Sequence, residues 1–165
     1  MDPLSDQLIR ASFVNCSKGE ANRIRTPRDL DQLPWEDLDF LGWRDPGAPD
    51  RGYLVAPVDG RLIGVTLRAP VGLRRTLTKT NLCSLCLTSH GGTGVALLSA
   101  RRAGAAGREG NTVGTYVCAD LSCSLYVRGR KRPTFGERVP TTLSEEEQIL
   151  QLQVNLADFV AQVLA

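Results

Sequence analysis

The sequence predicts an α+β fold: a small antiparallel β-sheet, a corner pinned by cysteines, and a C-terminal amphipathic helix. Three observations carry this. Asp59-Gly60 separates two β-rich runs. Four of the five cysteines fall in two close pairs, Cys83/Cys86 and Cys118/Cys123. Ile149, Leu152, Leu156, Phe159 and Val163 recur at helical spacing.

The chain has 165 residues, the size of one domain. Hydrophobic residues make up 42% but aromatics only 5%, a modest core that a metal would reinforce. The acidic start MDPLSDQLIR lacks the apolar stretch of a signal peptide. No run reaches the roughly 18 apolar residues of a membrane span. The expectation is a cytosolic, reducing compartment, where paired cysteines are metal ligands rather than disulfides.

Residues 1–52 read as an irregular and helical N-terminal segment packing on the core, and 53–165 as the domain proper, the two forming one folded unit. Asp2 or Ser5 caps a first turn, and Phe13-Val14 forms an apolar anchor. Thr26 and Pro27 look like the N-cap and first residue of a short helix. Trp35 and Trp43 supply core mass. The stretch 44–52 (RDPGAPDRG) is rich in turn formers and reads as a boundary.

Tyr53–Val58 and Arg61–Arg68 flank Asp59-Gly60, a hairpin signal, because a type I′ turn needs φ > 0 at both central residues. Arg74, Arg75 and Lys79 lead into Cys83-Ser84-Leu85-Cys86, a knuckle with its sulfurs pointing one way. Thr93–Ala100 and Thr112–Cys118 read as strands, joined by a loop over Arg101–Gly110. Ala119–Gly129 reads as a short helix. Residues 130–142 are barred from regular helix by Pro133, Gly136 and Pro140. The last helix begins at Ser144. Glu147 sits three residues on, completing a capping box, and Glu145–Glu147 complement the positive end of the helix dipole.

The cysteine pattern is C-x2-C, 31 residues, then C-x4-C. Four thiolates hold one Zn²⁺ tetrahedrally, with sulfurs at about 2.3 Å. The order knuckle, hairpin, helix start is that of a treble clef. Cys16 has no partner at ligand spacing and reads as a buried small hydrophobe. His90, four residues past Cys86, reads as a residue behind the ligands or an exposed one.

Charge is segregated. Residues 1–67 carry 8 basic and 11 acidic side chains (net −3), 68–138 carry 12 and 3 (net +9), and 139–165 carry 4 acidic and no basic ones. A basic middle between acidic ends suits an anionic partner.

The runs NLCSLC, VALLSARRAG and GNTVGTYVCADLSCSLYVRG resemble the FBP-type treble-clef domain over about residues 53–132. This is the C-terminal zinc finger of elongation-factor-G-binding proteins such as the FusB-like fusidic-acid-resistance proteins. The G-x-Y-x-C-A-D-x-x-C-S run is the most specific piece. The resemblance implies one structural Zn²⁺ on Cys83, Cys86, Cys118 and Cys123. It further implies a bacterial cytosolic protein that binds elongation factor G and promotes its release from the ribosome. FusB-like proteins carry a four-helix domain ahead of the finger. The residues before the hairpin here do not read as four helices, so the resemblance is to a short form.

Four cysteines close a zinc site, whereas catalytic zinc needs an open position. The H-x-E…P-C-x-x-C pattern of zinc deaminases is absent, and GAAGREG is no phosphate-binding loop. The expectation is therefore a non-enzyme. Two readings remain. In one, Tyr116, Tyr126, Arg128 and Arg130, with Lys131, Arg132, Arg101 and Arg102 around them, contact a protein, elongation factor G by resemblance. In the other, the same basic face binds ribosomal RNA through phosphates.

Overall fold

A computed structural model describes residues 1–70, 80–133 and 141–165. Arg74, Arg75, Lys79 and residues 134–140, singled out above, lie outside the described residues.

The N-terminal segment opens with α1 (Asp6–Ala11), capped by Ser5, whose hydroxyl accepts from Leu8 N–H. Helix α2 (Lys18–Arg23) carries a full capping box from Ser17 and Glu20. The helix expected at Thr26-Pro27 does not form. Thr26 instead donates its hydroxyl to Asp6 at 2.6 Å. Only 3₁₀ turns follow, at Leu30–Gln32 and Trp35–Asp37. Pro34 explains this: it pushes Leu33 to extended backbone (ψ 144°) and cuts the helix short.

Strand β1 (Leu41–Asp45) and β2 (Ala48–Val58) come next. The stretch read as a boundary is thus a hairpin, in which Asp45 Oδ1 accepts from Gly47 N–H at 2.8 Å. The division expected after residue 52 falls inside β2. Strand β3 (Arg61–Arg68) follows a turn with Asp59 at φ 48° and Gly60 at φ 72°, as the type I′ reading requires. Next are the short pair β4 (Thr80–Leu82) and β5 (Ser89–Gly91), then β6 (Val95–Arg101). A short helix α3 (Gly104–Arg108) occupies the expected loop before β7 (Thr112–Cys118). Helix α4 (Cys123–Val127) is shorter than expected, and α5 (Glu145–Leu164) begins at the Ser144 capping box.

The main sheet has the order β1-β2-β3-β6-β7, with all neighbours antiparallel. Its alternation buries two faces. Leu54, Val65, Leu98 and Val113 join Leu152, Leu156, Phe159, Val160 and Val163 of α5 in the larger core. Each such aliphatic side chain contributes roughly 1.5–3 kcal/mol when fully buried. On the other face, Trp43, Tyr53 and Val55 pack with Ile9, Ile24 and Trp35 of the N-terminal segment. Strands β3 and β6 share only the Arg68–Ser99 pairing. Asn15 bridges that junction: its Nδ2 donates to Thr66 O and Arg101 O, and its Oδ1 accepts from Thr66 N–H. Among the described residues, no helix is long and apolar enough to cross a membrane.

Candidate metal centre

Two corners of backbone meet at the cysteines. The first is the turn after β4, where Cys86 N–H points at Cys83 Sγ (3.4 Å) and Cys83 N–H donates to Thr88 O. Leu87, at φ 55°, closes it. In the second, Cys118 ends β7 and Cys123 opens α4, with Leu121 at φ 59° between them. A hydrogen bond from Ser84 N–H to Tyr116 O (2.7 Å) locks the two corners together.

All four cysteines are buried and unbridged. Cys83 and Cys123 sulfurs lie 3.7 Å apart and those of Cys86 and Cys118 3.5 Å apart, and the whole set falls within 4.8 Å. A tetrahedron of sulfurs around zinc has edges of about 3.8 Å, given the Zn–S bond length. The donor set therefore fits a thiophilic divalent ion with no rearrangement of backbone.

Hydrogen bonds from Cys118, Cys123 and Cys86 hold Cys83 far below the ordinary thiol range. Burial, together with the neighbouring sulfurs, pushes Cys123 well above it. Cys118 receives a stabilising hydrogen bond from Cys123, yet Cys83, Cys86 and burial outweigh this and raise it. A cation held among the four sulfurs would supply the charge that keeps the raised thiols of Cys118 and Cys123 ionised.

His90 is fully inside, with Nε2 3.3 Å from Cys118 Sγ and its ring edge-on to Tyr126 at 4.7 Å. Burial lowers its pKa and favours the neutral ring. Of the two positions expected for it, the one behind the ligands is where it sits. Cys16 is half-buried rather than fully buried, and burial raises its thiol to about 11.

A second layer of polar groups holds the corner. Asp120 accepts from Ser122 N–H, Tyr126 O–H and Lys131 Nζ, the last at 2.6 Å. Burial works against its charge, but the bonds from Lys131, Ser122 and Tyr126 prevail and keep it below the usual carboxylate range. Arg128 forms a two-pronged ion pair with Asp39, and Asp39 also accepts from Gln153 Nε2. Ser124 Oγ in turn accepts from Asp39 N–H, and α5 reaches the knuckle through Asn155, which donates to Leu85 O.

The expected contact residues therefore separate into three groups. Tyr126 and Arg128 turn inward: Tyr126 is buried, and the Arg128 side chain is only 12% exposed. Tyr116 (52% exposed), Arg130, Lys131 and Arg132 stand outside near the cysteines, with Arg130 loosely paired to Asp37. Arg101 and Arg102 do not belong with them. Val95 pairs with Cys118 at the metal end of the β6–β7 ladder, whereas Arg101 pairs with Thr112 at the other end. At about 3.3 Å per residue, that puts them roughly 20 Å away. Asp39 and Gln153 went unnoticed in the sequence because no local pattern marks them.

The family model for the FBP C-terminal treble-clef zinc-finger matches residues 8–163. Curated protein sequences give no match. Among solved structures, the fusidic acid resistance protein FusC is similar in fold, with a TM-score of 0.52 at 16% identity over 84% of this chain. The chain spans about half, 51%, of that protein's length. With the knuckle, hairpin and helix start in treble-clef order, the four-cysteine cluster and the match over nearly its whole length, the chain belongs to the FBP C-terminal treble-clef zinc-finger family.

Proposed function

We propose that this protein binds one structural Zn²⁺ through Cys83, Cys86, Cys118 and Cys123, and uses the rigid corner so formed to bind elongation factor G in the bacterial cytosol and modulate its release from the ribosome. It is a binding module rather than an enzyme. The observation that carries this reading is the match of the chain to the FBP C-terminal treble-clef zinc-finger family, joined to a buried four-sulfur cluster with the geometry that finger requires; elongation factor G enters through the sequence resemblance.

The contact surface is the outer side of the corner, where Tyr116, Arg130 and Arg132 are exposed. Tyr and Arg are favoured interface anchors. Because Ser84 N–H holds Tyr116 O, the tyrosine stands on backbone fixed by the metal site, which lowers the ordering cost of binding. Arg130 and Lys131 already face Asp37 and Asp120, so this surface is less cationic than its sequence suggests. That favours a protein partner over RNA phosphates.

The test is direct binding of the zinc-loaded protein to purified elongation factor G, alongside naked ribosomal RNA. Binding to the factor that survives nuclease supports the reading. Binding to RNA alone, with none to the factor, overturns it.

A further inference from the structure

The sheet face under the N-terminal segment changes character along its length. One part is the aromatic cluster of Trp43 and Tyr53. Beyond it, the same face becomes cationic. Arg51 on β2 lies directly opposite Arg68 on β3, and Arg68 lies opposite Ser99 on β6. Arg101 is two residues past Ser99, so it shares this face. Arg23, from α2, closes the cleft from the other side, and the cavity so formed has a volume of about 350 Å³.

Like charges directly opposite one another destabilise a sheet. Among the described residues, the carboxylates that offset them are few. Asp50 lies 3.9 Å from Arg68, and both side chains are about half exposed. Glu20 lines the cleft, but its Oε2 accepts from Ser17 N–H and Ser17 O–H in the capping box. Those Ser17 bonds, and more weakly the charges of Arg101 and Arg23, hold Glu20 below the usual carboxylate range. Asp45 is engaged by Tyr53 O–H. Among the described residues, four guanidiniums therefore line a walled cleft with two carboxylates in reach, one of them committed to a helix cap.

The uncharged lining tells what the cleft reads. Asn15 is saturated by Thr66 and Arg101 backbone, Thr66 Oγ1 contacts Asn15, and Ser99 Oγ donates to Arg68 O. Tyr53 is buried, so no aromatic face is offered to a nucleobase. We infer that this cleft is a second binding site, remote from the cysteine corner, for a short polyphosphate anion, free or esterified to a nucleoside, held by Arg23, Arg51, Arg68 and Arg101. Guanidinium forks match phosphoryl oxygens in pairs. A cleft of this size accepts a compact ligand. Among the described residues, its lining offers none of the stacking surfaces that single-stranded RNA uses.

The experiment is calorimetric titration of the full, zinc-loaded chain with inorganic tripolyphosphate, then with ATP and GTP, in moderate salt. Saturable one-to-one binding of tripolyphosphate is expected. Arg51→Gln with Arg68→Gln should weaken it at least tenfold, while Arg61→Gln, at the other end of β3, should not. The double variant without ligand should melt no lower than wild type, because the opposed charges are gone, and should lose the ligand-induced rise in melting temperature. Nucleotides binding as the bare anion does mark the phosphoryl chain as the determinant. Tighter nucleotide binding identifies the esterified form as the source. Absence of tripolyphosphate binding, binding indifferent to both substitutions, or stronger binding to a 5′-hydroxyl RNA 20-mer overturns the inference. None of these outcomes bears on elongation factor G.

Discussion

Arg128 reaches from the end of α4 into the segment before β1 and grips both oxygens of Asp39, at 2.5 and 3.1 Å. The side chains are 12% and 3% exposed, so the pair is essentially buried. Its hydrogen bonds to Asp39 raise the Arg128 pKa further and keep it charged. Removing one partner strands the other charge away from water. Asp39→Ala should therefore cost about 3–5 kcal/mol, whereas replacing both partners with apolar groups, Asp39→Leu with Arg128→Met, should recover much of that loss. Urea denaturation of the single and double variants measures both. Arg128→Glu, which sequence reasoning would use to probe the partner surface, should instead set two carboxylates together and unfold the protein.

The metal is the next test. Elemental analysis should give one zinc per chain. Cys118→Ser should abolish stoichiometric zinc and the fold around it, since structural zinc in small fingers contributes on the order of 10–16 kcal/mol at neutral pH. Cys16→Ser should leave zinc content unchanged, because Cys16 lies in the arginine cleft and outside the sulfur cluster. Well-folded wild-type protein without metal would refute the assignment.

His90 yields a graded prediction. The sequence left His90 either behind the ligands or exposed. The structure shows the ring buried between Cys118 Sγ and Tyr126. Groups behind metal ligands typically account for 10–100-fold in metal affinity. His90→Ala should retain one zinc per chain but lose it to a chelator about tenfold more readily, with a lower melting temperature. Unchanged chelator competition would show that the contact with Cys118 contributes nothing.

Gly42 joins the first strand to the metal corner. A Cβ there would meet Leu121 O at 2.6 Å and Leu121 Cβ at 2.7 Å. Leu121 already holds a left-handed conformation between two cysteines and has little freedom to yield. Gly42→Ala should destabilise by roughly 1–3 kcal/mol, the usual penalty of overpacking. It should also loosen zinc, whereas Gly114→Ala, with its nearest neighbour a leucine methyl at 3.5 Å, should not. Chelator competition on both variants decides.

These tests also show what was legible in the sequence. Asp59-Gly60, the Ser144–Glu147 cap and the cysteine spacing are local signals, and each produced the element expected from it. The first strand was missed because Pro46-Gly47 and Pro49 read as a loop, although Leu41, Trp43 and Asp45 alternate inward as a strand requires. Arg128 reads in the sequence as a partner contact because its own partner, Asp39, is 89 residues away. The arginine cleft was illegible for the same reason: Arg23, Arg51, Arg68 and Arg101 form no run, and only strand register and the packing of α2 bring them together.

The last prediction concerns the partner surface. Tyr116 and Arg130 are exposed beside the cysteines, and neither supports the core. Tyr116→Ala with Arg130→Ala should weaken binding to elongation factor G at least tenfold, while zinc content and melting temperature hold. Truncation of a central aromatic or arginine anchor costs about 2 kcal/mol or more, which corresponds to that change. The two substitutions should act on different rates. Loss of the tyrosine should speed dissociation. Loss of the arginine charge should slow association, by an amount that shrinks as salt rises. Arg101→Ala with Arg102→Ala, at the other end of the β6–β7 ladder, serves as the internal control and should leave affinity unchanged. If the Tyr116/Arg130 variant binds as tightly as wild type at low salt, the outer side of the metal corner is not the contact surface. If the Arg101/Arg102 variant loses binding instead, the partner docks on the arginine end of the sheet.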